Sequence, residues 1–200
     1  MGTAEALRAH AMAATDAEAR QRFLDSPAVF WVDWRDEESA VVEACAGASG
    51  VSVAVETAPD SLQLAANQQV IVTALNGGTE DRHATLLALN EVLSGSHEIR
   101  LALASLGADS LAFAVLPEGE WSMLDDDLGD AVAQVVWRLD EQIDPFGDLQ
   151  DLGVLSSYLD HLEEHPGRYG DSLAYGLAHP LEVSFEDDDA GPDSRPVLEW

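Results

Sequence analysis

An α+β fold, with a mostly antiparallel sheet of about five strands, is the architecture this sequence predicts. Three observations lead there. Runs rich in aromatic and β-branched residues, or alternating with period two, read as strands. Between them lie segments whose apolar residues recur three and four apart, the spacing of a helix buried on one side. The stretch EIRLALASL-GAD-SLAFAVL, Glu98 to Leu116, reads as a hairpin of adjacent antiparallel strands. The helices are expected to pack largely on one face of the sheet, with a helical C-terminal appendage beside it.

Taken in chain order, residues 4–25 are rich in Ala, Leu, Arg and Glu and predict an N-terminal helix. Within it Thr15 and Glu18 form a capping-box signature able to begin a second helix. The text AVFWVDWR, Ala28 to Arg35, predicts a strand with Phe30, Val32 and Trp34 on one face and Trp31 on the other. Asp36 is placed to cap a helix running to about Ala46 and closed by Gly47 or Gly50. Val51 to Thr57 alternates as a half-buried strand, residues 58–68 read as a connector with a short helical turn, and Gln69 to Leu75 as a strand. Thr79 caps the next helix, Leu86, Leu89, Asn90 and Leu93 give it an apolar stripe, and Gly95 stops it. Pro117 ends the sheet. The acidic run Asp125–Asp127 is expected to lead into a helix from about Leu128 to Gln142. Residues 1–145 are therefore expected to form the α+β domain, and 146–200 a helical appendage with an acidic tail ending at Trp200.

Charge bounds the function. The 200 residues carry 38 acidic side chains against nine arginines and no lysine, a formal net charge of −29. Such a surface repels phosphate, so DNA, RNA and anionic membranes are not expected as partners. It attracts a basic protein partner. Arg without Lys, with abundant Ala, Asp and Gly, is also what a GC-rich genome produces. The N-terminus holds no apolar run long enough for a signal sequence or membrane span, so a cytoplasmic location is expected. Cys45, the only cysteine, lies in an apolar stretch and reads as a core thiol.

No catalytic constellation emerges. His161 and His165 have the i, i+4 spacing of two metal ligands, but Leu162 stands where a zinc protease needs Glu. Asp125–Asp127 with Asp130, and Glu186–Asp189, lack the spacing of a calcium loop. The Asp125 cluster or the His161/His165 pair leaves a small metal-assisted hydrolase as one alternative reading, and a self-associating structural or regulatory domain is the other. Asp81, Arg82 and His83 read as cap and dipole partners. Gly77-Gly78 is not followed by Lys and Ser or Thr, so no phosphate loop and no cofactor are expected.

The texts VIVTAL, Leu86-Leu87-Ala88-Leu89-Asn90, the hairpin and AVAQVVWRLDE give the order strand, helix, hairpin, helix over residues 69–143. This resembles the second half of the small acidic chaperones of bacterial type III secretion and their relatives outside secretion. The resemblance implies a non-catalytic protein that binds partner polypeptides, often as a homodimer. Small bacterial toxin-neutralising immunity proteins share the acidity and the α+β texture. The expected function is an acidic protein-binding module of chaperone or immunity type, with a basic or amphipathic protein as partner. Candidate binding residues are the aromatics Trp31, Trp34 and Trp200 and the acidic run Asp125, Asp126 and Asp127.

Overall fold

A computed structural model describes residues 2–14, 16–78, 80–106, 108–141 and 144–147. The capping residues Thr15 and Thr79, the histidines His161 and His165, the run Glu186–Asp189, Trp200 and almost all of the expected appendage lie outside the described residues. The fold is α+β, and every described strand pairing is antiparallel. The strands form two sheets rather than one, of four and three strands.

The N-terminal helical segment expected over 4–25, with a second start signalled at Thr15 and Glu18, forms two helices, α1 (Thr3–Met12) and α2 (Ala17–Leu24). Asp16 caps the second, its carboxylate accepting from the N–H groups of Glu18 and Ala19. Strand β1 (Val29–Asp33) follows, then α3 (Glu38–Ser49), which ends at Gly50 in the left-handed region at φ 71°. Asp36 does not cap α3. Its carboxylate accepts from the Asp33 N–H at 2.7 Å instead.

Residues 54–74 make a three-stranded meander of β2 (Ala54–Ala58), β3 (Ser61–Ala66) and β4 (Gln69–Ala74). The segment read as a connector is thus mostly strand. Pro59-Asp60 turns the chain between β2 and β3. Asn67 and Gln68, at φ 52° and 68°, supply the two left-handed residues that a tight hairpin turn requires. Leu62 and Leu64 point inward from β3 and are fully buried, whereas every residue of β2 is exposed.

Helix α4 (Glu80–Leu93) packs against β3 and β4 of the small sheet and against β5 of the large one. The hairpin is formed by β5 (His97–Ala102) and β6 (Ser110–Pro117), with Leu101 opposite Phe113. Asn90 braces it. Its amide donates to the Ile99 carbonyl at 3.1 Å and accepts the Ile99 N–H at 2.6 Å. These bonds satisfy the edge of β5 just before β7 begins to pair with it at Arg100.

The helix expected over 128–142 is not formed. Helix α5 (Glu118–Leu128) comes earlier and contains the acidic run, a short α6 (Asp130–Ala133) follows, and β7 (Val136–Arg138) joins the large sheet. Val132, Val135 and Val136 are buried as their spacing requires, but a strand partner at β5 decides the conformation of the last.

The large sheet runs β1-β6-β5-β7 and is covered on both faces. On one face Phe30, Ile99, Leu101, Phe113 and Val115 meet α3, α4 and the inner side of the meander. On the other, Ala102, Ala112, Ala114 and Leu116 lie under α1, α2, α5 and α6. Helices packed largely on one face were expected. The second face is paved with alanine and carries Arg100, so its pattern imitates a solvent-facing one.

Candidate protein-interaction surface

The acidic run does not form one exposed patch. Asp125 sits in an ion cluster with Arg100, Glu98 and Arg138. Arg100 is 3% exposed and lies directly across the β5–β7 pair from Arg138, a like-charge juxtaposition that is unfavourable by itself. Two carboxylates resolve it. Arg100 donates Nη1 and Nη2 to Asp125 at 2.8 Å each, and Nε and Nη2 to Glu98 at 2.9 and 3.1 Å. Arg138 Nη2 reaches the same Asp125 oxygen at 2.8 Å. The Trp121 ring lies 4.1 Å from the Arg100 guanidinium carbon, and its indole N–H donates to the Glu98 carbonyl at 2.8 Å.

Burial pushes the Asp125 carboxyl up. The hydrogen bonds and charge of Arg100, together with Arg138, more than reverse this and hold it below its ordinary value. Burial likewise opposes the charge on Arg100, and Asp125 and Glu98 overcome it, raising its pKa. Asp127 pairs with Arg8 of α1 at 2.7 Å, and Asp126 is exposed. These arginines offset the unfavourable placing of carboxylates in the last turns of α5. A cleft of ≈ 420 Å³ opens beside the cluster, but Arg100 and Arg138 are both committed to carboxylates, and Asp130 and Asp140 line it as well. It therefore offers an anion little purchase.

Asp81 and Arg82 brace a loop. The Asp81 carboxylate accepts from the N–H groups of Asn76 and Gly77 at 2.8 and 2.7 Å, and Arg82 donates to the Gly78 carbonyl at 2.7 Å. His83 is buried on α4. Among the described residues no three His, Cys, Asp or Glu side chains are grouped to hold a metal ion, and no helix is long and apolar enough to cross a membrane.

Cys45 is fully buried among the apolar side chains of α3, and burial pushes its thiol up to about 12. The folded protein is therefore expected to resist a thiol-specific reagent at neutral pH, because the reactive thiolate is absent and the sulfur covered. Modification should track unfolding as urea is raised. Rapid labelling without denaturant would contradict the burial.

Trp31 and Trp34 remain half-exposed, at 44% and 41%. Trp31 projects from β1, one of the two edge strands of the large sheet, and Trp34 lies in the turn just beyond it. Asp33, Asp36 and Glu37 neighbour them in the chain, Glu38 lies 3.9 Å from Arg82 Nη1, and Arg35 is stacked 4.7 Å from the Trp34 ring centroid. The β1 edge is closed at this end by the reciprocal bonds of Asp33 and Asp36. The result is an acidic aromatic lip rather than an open strand edge.

A second surface has no counterpart in the sequence reading. The residues of β2, β3 and β4 facing away from Leu62 and Leu64 fall into register as three rows: Ala54, Ala65, Val70; Glu56, Gln63, Val72; and Ala58, Ser61, Ala74. Glu56 is the one charged residue of these nine, and Val70 and Val72 are 61% and 63% exposed. Only strand register reveals this face, because no contiguous run of sequence carries it.

Compared with family models, with curated proteins and with solved structures, the chain matches none.

Proposed function

We propose that this chain is a non-enzymatic, acidic protein-binding module of chaperone or immunity type, acting in the cytoplasm. Its partner is a basic or amphipathic protein segment received at the Trp31–Trp34 lip. The observation that carries this reading is the pair of half-exposed tryptophans with Asp33, Asp36 and Glu37 beside them in the chain. Large aromatics supply contact area at little entropic cost, and their faces accept cations, as Arg35 already does on Trp34. The net charge of −29 adds long-range attraction for a basic partner. The resemblance over 69–143 to polypeptide-binding chaperones supports it through the strand, helix and hairpin, its closing segment AVAQVVWRLDE being α6 and β7 instead of a long helix.

The test is capture from native lysate by the wild-type chain and by a Trp31→Ala/Trp34→Ala variant. Both side chains are half-exposed, so the variant is expected to fold. It should lose most of the protein that wild type retains, a drop of at least ~30-fold in affinity if both aromatics are hot spots. Wild-type capture should also weaken as salt rises. Equal capture by the two chains would sink the assignment to the lip.

A further inference from the structure

We infer that the outer face of the β2–β3–β4 meander is where a second copy of this chain docks, face to face. Among its nine outward positions Glu56 alone is charged, on a chain of net charge −29. That neutrality sorts the possible occupants. A basic partner gains from carboxylates and finds one here, whereas Asp33, Asp36 and Glu37 lie beside the tryptophans of the lip in the chain. A second copy carries the same −29 and is repelled wherever its acidic surface meets acidic surface. It approaches most readily where both chains are neutral, and this face gives it such a place.

The relief of the face fits an isologous contact. On β4, Val70 and Val72 form a ridge, both more than half exposed. Across the sheet on β2 stand Ala54 and Ala58, small side chains flanking Glu56. A two-fold axis parallel to the strands lays β4 of one copy over β2 of the other, at the roughly 10 Å separation of packed sheets. Val70 then enters the hollow above the partner's Ala54. Val72 falls in the next row, over the aliphatic stem of the partner's Glu56, whose carboxylate, on an edge strand, extends past the rim into water. The interface covers two valines that the described residues leave in solvent.

The experiment is sedimentation velocity of the full chain over a range of concentrations, at about 0.05 M and 0.5 M salt. The expected result is a dimer of twice 21.4 kDa that tightens as salt rises, because salt screens the mutual repulsion. This is the opposite salt response to that expected for basic-partner capture at the lip. Val72→Asp should weaken the dimer on the order of 100-fold, since it sets carboxylates into an apolar contact on both copies. Val72→Thr keeps strand propensity and should weaken it less, which separates interface loss from misfolding. A monomer at every concentration and salt overturns the inference and leaves the face to another occupant, such as residues 148–200 or a foreign chain. A dimer that survives both Val72 variants, or that Trp31→Ala/Trp34→Ala abolishes instead, also overturns it. Failure of the capture experiment leaves this result untouched.

Discussion

Replacing Asp125 with alanine is expected to cost the fold about 3–5 kcal/mol, the range for removing one partner from a buried ion cluster. The change leaves Arg100, 3% exposed, with Glu98 as its remaining carboxylate and with Arg138 directly across the strand pair. Arg100→Met should cost less. The carboxylates it abandons are both partly solvated, Asp125 keeps Arg138, and methionine fills the space beside Trp121. Urea unfolding of the two single variants and the double variant checks this. Asp125→Ala should be the worst of the three, with Arg100→Met recovering part of its loss. Equal costs for the two single changes would show that the buried cation is not the controlling element.

The same cluster has a pH signature. The folded-state pKa of Asp125 lies below its unfolded value, so its contribution is fully present above about pH 4 and is lost as pH falls through the folded value. Asp125→Asn should flatten that part of the acid profile. His10 acts in a higher window. Burial first, and then Arg20, lower its pKa against the opposing pull of Asp16, so stability falls as pH drops below about 6.5 toward the folded value. The two windows open at different unfolded values, about 6.5 and about 4, so titrating wild type beside Asp125→Asn tells the two groups apart.

What the sequence could and could not disclose follows from the length scale of each signal. The helix at α4, the strand at β4 and the β5–β6 hairpin are written in local alternation, spacing and stop signals, although β5 ends at Ala102 and Leu103–Ser105, expected as strand, form a 3-10 turn. The β3–β4 hairpin was hidden because its turn is Asn67-Gln68. The usual glycine is absent, so a left-handed pair had to be imposed by strand pairing. The second helix layer was hidden because Arg100, Ala102, Ala112 and Ala114 look polar or small, and their burial depends on which helices return to cover them. The run from Leu128 suits a helix by spacing alone. The free edge of β5 competes for Val136–Arg138, and cross-strand pairing prevails.

The candidate site divides in the same way. Trp31 and Trp34 were legible because bulky aromatics beside carboxylates stand out in any reading. Their exposure was not legible, since it depends on β1 being an edge strand. Asp125 was misleading. A run of three aspartates suggests one solvated patch, yet Asp125 neutralises two arginines from a different strand pair while Asp126 is exposed. The neutral face of the meander had no local signal, because its nine residues are spread over three strands and interleaved with inward-facing ones.

Phe113→Ala is the other change expected to cost about 3–5 kcal/mol, the range for truncating a fully buried phenylalanine. Phe113 occupies the middle of β6, the central strand between β1 and β5, so the surrounding backbone is held by pairing on both sides and cannot collapse into the vacated space. Its ring lies 5.7 Å from that of Phe30 on β1 and 6.0 Å from that of Phe146. The second contact carries the core one residue past the expected boundary at 145. A double-mutant cycle between Phe113→Leu and Phe146→Leu isolates it, with a coupling of about 0.5–1.5 kcal/mol expected for an aromatic pair of this geometry. Leucine keeps most of the apolar volume, so the cycle reports ring contact rather than a cavity. A coupling near zero would mean that the segment at 144–147 merely rests on the domain. A coupling in the expected range means that the domain's own stability depends on chain beyond β7, and that shortening the protein to the sheet and its helices would remove part of the core it needs.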